Sequence, residues 1–294
     1  MRLIASGTWA EEPEGLSDRN RPGRVASTDV RVDKRSSFLK PKQLFPLLLA
    51  FVSGFVVPQA GFAESLTNIG LRGTNQQLHL YGSRGGVPVI LSSGDLGWAG
   101  LVSHVAEFLS SQGYFIVGFN SRAYLESFTS KTSTLKPQDV PQDYKALVDF
   151  AVQRGGSRPI MAGVSEGAGL SVLAAADPQV RSSVRGVLGL GLPDQNELGW
   201  KWQDFTIWIT KKTPNEPSFM VEDIISKMSP LPLAEIHSTH DEFLPLEQAK
   251  AMFGRAGEPK RMWVIEAANH RFSNNRVEFD RALLEALEWI KNPR

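Results

Sequence analysis

Short apolar runs alternate with amphipathic stretches from residue 77 to the end of this chain. Residues 87–92, 114–119, 159–164, 184–192, 232–238 and 261–266 are apolar or β-branched runs of strand length, and 77–81 reads as a first edge strand. Between them, apolar residues recur at helical spacing over 98–112, 141–153, 166–176, 246–253 and 275–290. In 141–153 the apolar face is carried by Leu147, Phe150 and Ala151. This order predicts an α/β fold, a mostly parallel sheet with helices on both faces. Right-handed crossovers then bring the strand-to-helix loops to one rim, where such sheets hold their active sites. One stretch, 193–231, breaks the alternation. It carries Trp200, Trp202, Phe205, Trp208 and Phe219 with Lys201, Lys211 and Lys212. Its length predicts a cap over that rim, excluding water and shaping a pocket.

The first 63 residues follow another pattern. Residues 1–33 are polar and show no apolar periodicity, so they are expected to stay disordered: they cannot bury enough surface to offset their ordering entropy. Lys34, Arg35, Lys40 and Lys42 then precede an uncharged stretch, 43–63, with its apolar centre at 44–57 and the small residues Gly61 and Ala63 at its end. Basic flank, short apolar centre and small-residue exit predict a secretory signal peptide cleaved after Ala63. The alternative is a retained anchor. Against it, the apolar centre falls short of the roughly 20 residues a span needs, and Pro46, Gly54 and Pro58 interrupt it. The expected product is one exported, periplasmic domain over 64–294.

Composition narrows the chemistry. The chain has no Cys, which excludes disulfide scaffolds, zinc ribbons, Fe–S clusters and thiol nucleophiles. The formal net charge is +1, but residues 1–63 hold 9 Lys/Arg and 6 Asp/Glu. That leaves 23 basic and 25 acidic groups in 64–294, a near-neutral body without the field that nucleic-acid binding requires.

Gly163-Val164-Ser165-Glu166-Gly167 lies between a predicted strand and a predicted helix. G-x-S-x-G in that context is a nucleophile elbow: a sharp turn, with small residues on both sides, that lifts a serine hydroxyl above the sheet at a helix N-terminus. Serine needs a base, and the base needs an acid to orient it. In this arrangement the chain order is serine, acid, histidine. His270 follows the strand 261–266 and precedes the last helix, the expected place for the base. Asp241, after the strand 232–238, is the expected acid, with Asp194 its rival and Glu242 its neighbour. His79 and His104 precede the serine and read as structural. His237, His240 and Asp241 are close enough in sequence to suggest a metal, but on a strand-to-loop segment their side chains diverge; the plainer expectation is that His237 and His240 pack or hydrogen-bond near Asp241. For the oxyanion hole, one donor is expected from the Glu166 backbone N–H. The second comes from the glycine-containing loop Ser92-Ser93-Gly94-Asp95-Leu96-Gly97-Trp98, from Asp95 or Leu96.

Elbow, Asp241, His270 and the 92–98 loop together resemble the α/β-hydrolase superfamily over most of 77–291. More narrowly, the Ser-Gly-Asp-x-Gly-Trp run at 93–98 and Gly118-Phe119-Asn120-Ser121 resemble the bacterial virulence proteins of the VirJ/AcvB type. The chain departs from that pattern at Glu166 in the elbow and at Leu96, where a second Gly is usual. The resemblance implies a periplasmic serine hydrolase, and some members are associated with cleaving the aminoacyl ester of lysyl-phosphatidylglycerol. The expected partner is therefore a small-molecule or lipid ester, with peripheral membrane contact if it is a lipid. Such a reaction requires no metal or organic cofactor. Two alternatives stand beside an esterase: an amidase or peptidase using the same residues, and a non-catalytic envelope binding protein on the same fold.

Overall fold

A computed structural model of the chain describes residues 64–201 and 217–293. The predicted disordered stretch and signal peptide (1–63) lie outside these residues, as do Trp202, Phe205, Trp208, Lys211 and Lys212 of the predicted cap.

Strands β1 (Ser65–Leu71), β2 (Thr74–Tyr81), β3 (Val87–Ser92), β4 (Tyr114–Phe119), β5 (Ile160–Val164), β6 (Gly186–Leu190), β9 (Leu233–Ser238) and β10 (Lys260–Ile265) form one sheet in the order β1-β2-β4-β3-β5-β6-β9-β10. β1 and β2 pair antiparallel, as do β2 and β4, and the other pairs are parallel. The predicted strand 77–81 is therefore not an edge. β1 lies outside β2, and its mostly exposed residues carry no apolar run that the sequence could reveal.

Alternation along the strands divides the core in two. In β3, Val89 and Leu91 face helices α1 (Leu101–Ser111) and α7 (Arg276–Lys291), whereas Ile90 faces α3 (Asp139–Gly155) and α4 (Glu166–Ala176). Because both faces are covered, the central strands read as continuous apolar runs; every residue of β4 is buried. α3 has Asp139 in its first turn and Arg154 in its last, complementing the helix dipole, and ends at Gly156 with φ 70°. Two short helices were not foreseen: α2 (Ser121–Phe128) and α5 (Pro178–Ser183). Each is started by a side-chain cap. Asn120 Oδ1 accepts from the Ala123 N–H at 3.1 Å, and Asp177 Oδ1 accepts from the Gln179 N–H at 2.8 Å with Pro178 following. α6 (Leu246–Gly254) follows β9.

The described part of 193–231 is a two-stranded ribbon, β7 (Gln195–Glu197) with β8 (Ser218–Met220), followed by two 3₁₀ turns at Val221–Asp223 and Ile225–Met228. Leu198, Trp200, Val221, Ile225 and Met228 join the core on the α4 side of the sheet. Among the described residues no helix is long and apolar enough to cross a membrane.

Candidate active site

Ser165 sits between β5 and α4 with φ 51° and ψ −121°. Positive φ at a non-glycine residue is strained by about 1–3 kcal/mol and persists only where the surroundings enforce it. Here the Ser165 N–H donates to the Leu190 carbonyl at 3.0 Å, and its carbonyl accepts from the Ala168 N–H at 2.8 Å. Neighbouring glycines make the turn sterically possible. A Cβ on Gly163 would lie 2.2 Å from the Gly167 backbone, and one on Gly167 would lie 2.4 Å from the Ser93 carbonyl oxygen. Gly169 admits Asn196, whose Oδ1 would stand 1.8 Å from a Cβ there. Asn196 Nδ2 in turn donates to the Glu166 carbonyl at 2.8 Å, so β7 clamps the first turn of α4. Nothing in the sequence singled out Asn196, because its partner is brought close only by the insertion.

Asp241 and His270 meet. His270 Nδ1 donates to Asp241 Oδ2 at 2.6 Å. Asp241 Oδ1 accepts from the backbone N–H groups of Phe243 (2.9 Å) and Leu244 (3.1 Å). Burial pushes the Asp241 carboxyl up, but the hydrogen bond and charge of His270 and these two N–H groups outweigh it, holding the carboxyl below its ordinary value. The His270 backbone N–H donates to Glu242 Oε2 at 2.7 Å, giving Glu242 a role in fixing the loop. Gly191, at φ 66°, leaves room for the ring: a Cβ there would lie 2.5 Å from His270 Cε1. The Phe243 ring stands edge-on to the imidazole, with centroids 5.0 Å apart. His270 Nε2 is buried and has no hydrogen-bond partner among the described residues. Asp194, the rival acid, lines the cavity instead.

That cavity, of about 250 Å³, is lined by Ser165, His270, Asp95, Glu166, Asp194 and Arg271 among others. Asp95 and Asp194 against the one guanidinium of Arg271, with the Glu166 carboxyl beside them, make its wall acidic. A smaller adjoining space of about 90 Å³ brings Leu96 and Gly97 to the same Ser165 and His270. The two expected loop donors differ. The Asp95 N–H donates to Glu166 Oε2 at 3.1 Å, so the elbow's own side chain occupies it. Burial, and then the nearby negative charge of Asp95, push the Glu166 carboxyl above its ordinary value.

The two segments that set this sequence apart, 93–98 and 118–121, are in contact. The six-membered ring of Trp98 packs against Gly118, where a Cβ would come within 2.1 Å of the indole. The indole stacks on His79 with centroids 4.4 Å apart and donates from Nε1 to the Tyr81 hydroxyl at 3.2 Å. Ser93 Oγ accepts from the Ser121 N–H at 3.0 Å. The loop bearing Asp95 and Leu96 is thus fastened to β2 and β4 from behind.

The other histidines have partners elsewhere. His79 pairs with Glu64, and His104 Nε2 lies 2.7 Å from Asp280 Oδ1. His240 Nδ1 lies 3.0 Å from the Ala267 carbonyl, whereas His237 bonds Glu235 and the Leu244 carbonyl. His237 lies beside Asp241, but both its ring nitrogens are taken and His240 turns to Ala267, so the three do not converge on one point as metal ligands would. Among the described residues no group of three or more His, Asp or Glu could hold a metal.

Sheet order, elbow and loop positions define the α/β-hydrolase fold. The chain belongs to the bacterial virulence protein (VirJ) family, whose model matches residues 87–288. No curated protein matches the chain. Among solved structures it is similar to the alpha/beta hydrolase GrgF from Penicillium sp. sh18, at 12% identity and a TM-score of 0.59, over 78% of this chain and 98% of that one. Est1E from Butyrivibrio proteoclasticus matches at 16% identity and a TM-score of 0.55, over 76% and 99%. An alpha-beta serine hydrolase homologue from Coxiella burnetii matches at 18% identity and a TM-score of 0.55, over 76% and 97%. At these identities the likeness is one of fold.

Proposed function

We propose that the chain is an exported serine hydrolase that cleaves an ester, with Ser165 as nucleophile, His270 as base and Asp241 as the acid that orients it. The observation that carries this reading is the 2.6 Å bond between Asp241 and His270 at a cavity that also exposes a serine held at positive φ. The Ser165 Oγ–H proton passes to His270 Nε2 as Oγ bonds the acyl carbon. The tetrahedral intermediate collapses, His270 returns the proton to the leaving alkoxide, and an acyl-enzyme remains. Water, deprotonated by the same nitrogen, then releases the acid and restores Ser165. Asp241 keeps Nδ1 protonated and stabilises the imidazolium. Oxyanion donors are the Glu166 N–H, at the start of α4, and the Leu96 N–H; the Asp95 N–H is engaged by Glu166 Oε2.

For the substrate we propose an ester whose acyl group or head group carries a positive charge, of the aminoacyl or aminoacylated-lipid kind. The acidic lining formed by Asp95, Glu166 and Asp194 supports this choice. Export rests on the basic and apolar pattern of residues 34–63.

A fluorophosphonate probe tests the chemistry. Wild-type protein labels, and Ser165→Ala and His270→Ala do not. A folded wild type that fails to label overturns the hydrolase reading in favour of a binding protein. Paired ester and amide substrates, each with and without a free amino group, test the substrate class.

A further inference from the structure

Behind Asp241 lies a second buried charge. Glu235 and His237 are alternate residues of β9, so both side chains project to the same face, and both are fully buried. His237 Nδ1 lies 3.0 Å from Glu235 Oε1, and Nε2 lies 2.9 Å from the Leu244 carbonyl oxygen. A carbonyl only accepts, so Nε2 carries a proton. Burial pushes the Glu235 carboxyl up, and the hydrogen bond and charge of His237 pull against it; with Glu235 ionised, an imidazole bonded to both acceptors is protonated on both nitrogens. The same Nε2 is 3.8 Å from Asp241 Oδ2, the oxygen that receives His270. Leu244 closes the circuit: its carbonyl is held by His237 while its N–H holds Asp241 Oδ1.

We propose that His237 is a positioning residue for Asp241, kept as a buried imidazolium by Glu235. It fixes the 243–244 backbone that grips Asp241, and its charge partly offsets the field that Asp241 exerts on His270. This inference rests on the acid–base reading of Asp241 and His270. Removing either partner would leave the other buried without its counter-charge, which is costly. Burial pulls the His237 pKa down, but the hydrogen bond and charge of Glu235 outweigh it and the net direction is up.

Few other groups face this ring. Across the β9–β10 ladder, Met262 stands opposite Glu235 and Val264 opposite His237, and across the β6–β9 ladder Gly189 stands opposite Glu235. On α6, Glu247 and Lys250 pair with each other at the surface. Among the described residues, the titratable neighbours of His237 are therefore Glu235 and Asp241, with His270 beyond.

The test is Glu235→Gln in the full chain. Glutamine retains the size and can donate its amide N–H to Nδ1, leaving His237 neutral with its Nε2 proton still on Leu244. With the cation gone, the Asp241 charge acts on His270 unopposed and the imidazolium gains stability. The acid limb of kcat/KM should therefore move to higher pH by about half a unit or more, while fluorophosphonate labelling of Ser165 persists. The second measurement needs no variant and no activity: ¹⁵N NMR of wild-type His237 should show both ring nitrogens protonated from pH 6 to 8. A singly protonated His237 in wild type, or an unmoved acid limb in a Glu235→Gln protein that still labels, overturns the inference. A wild type that does not label sinks the hydrolase reading instead, which separates the two failures. If Glu235→Gln does not fold, the NMR result alone decides.

Discussion

Asp241 Oδ2 and His270 Nδ1 lie 2.6 Å apart although 29 residues of chain, including α6 and β10, separate them. The contact exists because β9 and β10 are parallel neighbours, so the loops that leave their carboxyl ends emerge side by side. Asp241→Asn keeps the shape of this contact but removes its charge and its control over which ring nitrogen carries the proton. By analogy with the triad of serine proteases, kcat should fall by about 10⁴-fold with KM little changed. Steady-state kinetics on whichever ester the wild type cleaves measure this.

The same carboxyl gives a pH signature in stability. Its pKa is lower in the folded chain than in the unfolded one, so its contribution is fully present above the ordinary carboxylate value and is lost as pH falls through the depressed folded value. Urea unfolding of wild type and Asp241→Asn between pH 2 and pH 7 should show the wild type's advantage constant above about pH 5 and shrinking below about pH 4. An advantage that grows on acidification would contradict the assignment.

Glu166 places a carboxyl on the Asp95 N–H next to Ser165. When ionised, it opposes the negative oxygen of a tetrahedral intermediate formed on a neutral ester. Because its pKa is raised, that opposition sets in as pH rises through the raised value. Glu166→Gln should increase kcat/KM for a neutral ester several-fold at pH 8 and less at pH 5. An ester with a free amino group should show no such gain. Equal effects on both substrates at both pH values would rule out a charge role for Glu166.

Gly191 and Gly169 are held by steric demand. Gly191→Ala puts a methyl 2.5 Å from His270 Cε1 at φ 66°, and Gly169→Ala drives one into Asn196 Oδ1. Gly191→Ala should lower kcat by displacing the imidazole, and Gly169→Ala should also lower the melting temperature by loosening β7 from α4. Thermal unfolding and labelling rates, run together, distinguish the two. A Gly169→Ala protein with unchanged melting temperature and labelling would mean that β7 does not clamp the elbow.

Outside the lining of the cavity, Asp143 accepts from Arg72 Nε at 3.0 Å and from the Tyr124 hydroxyl at 2.6 Å while 2% exposed. Asp143→Ala leaves the Tyr124 hydroxyl buried and without its acceptor. Such a loss costs about 3 kcal/mol. Chemical denaturation should register that drop with the labelling rate of Ser165 preserved.

Much of this molecule was written in its linear pattern. Residues 87–92, 114–119 and 166–176 are strands and a helix with the predicted bounds, because a strand buried on both faces must be apolar throughout and a helix packed on all sides must be small and apolar. Gly163 and Gly167 marked the elbow because backbone contacts as close as theirs tolerate no side chain. Position after a strand put Asp241 and His270 on the same rim in the sequence; that their loops touch depends on β9 and β10 being neighbours in the sheet. Polar partners were another matter. The outer strand β1 was missed because a solvent-facing antiparallel edge imposes no apolar run. Asn196 on the Glu166 carbonyl, Glu166 on the Asp95 N–H, Glu242 on the His270 N–H, and the Glu235–His237 pair behind Asp241 all depend on which way one side chain points within a few ångströms. Hydrophobic burial is non-directional and leaves a periodic trace in the chain; hydrogen bonds are directional and leave none, so only the folded arrangement decided them.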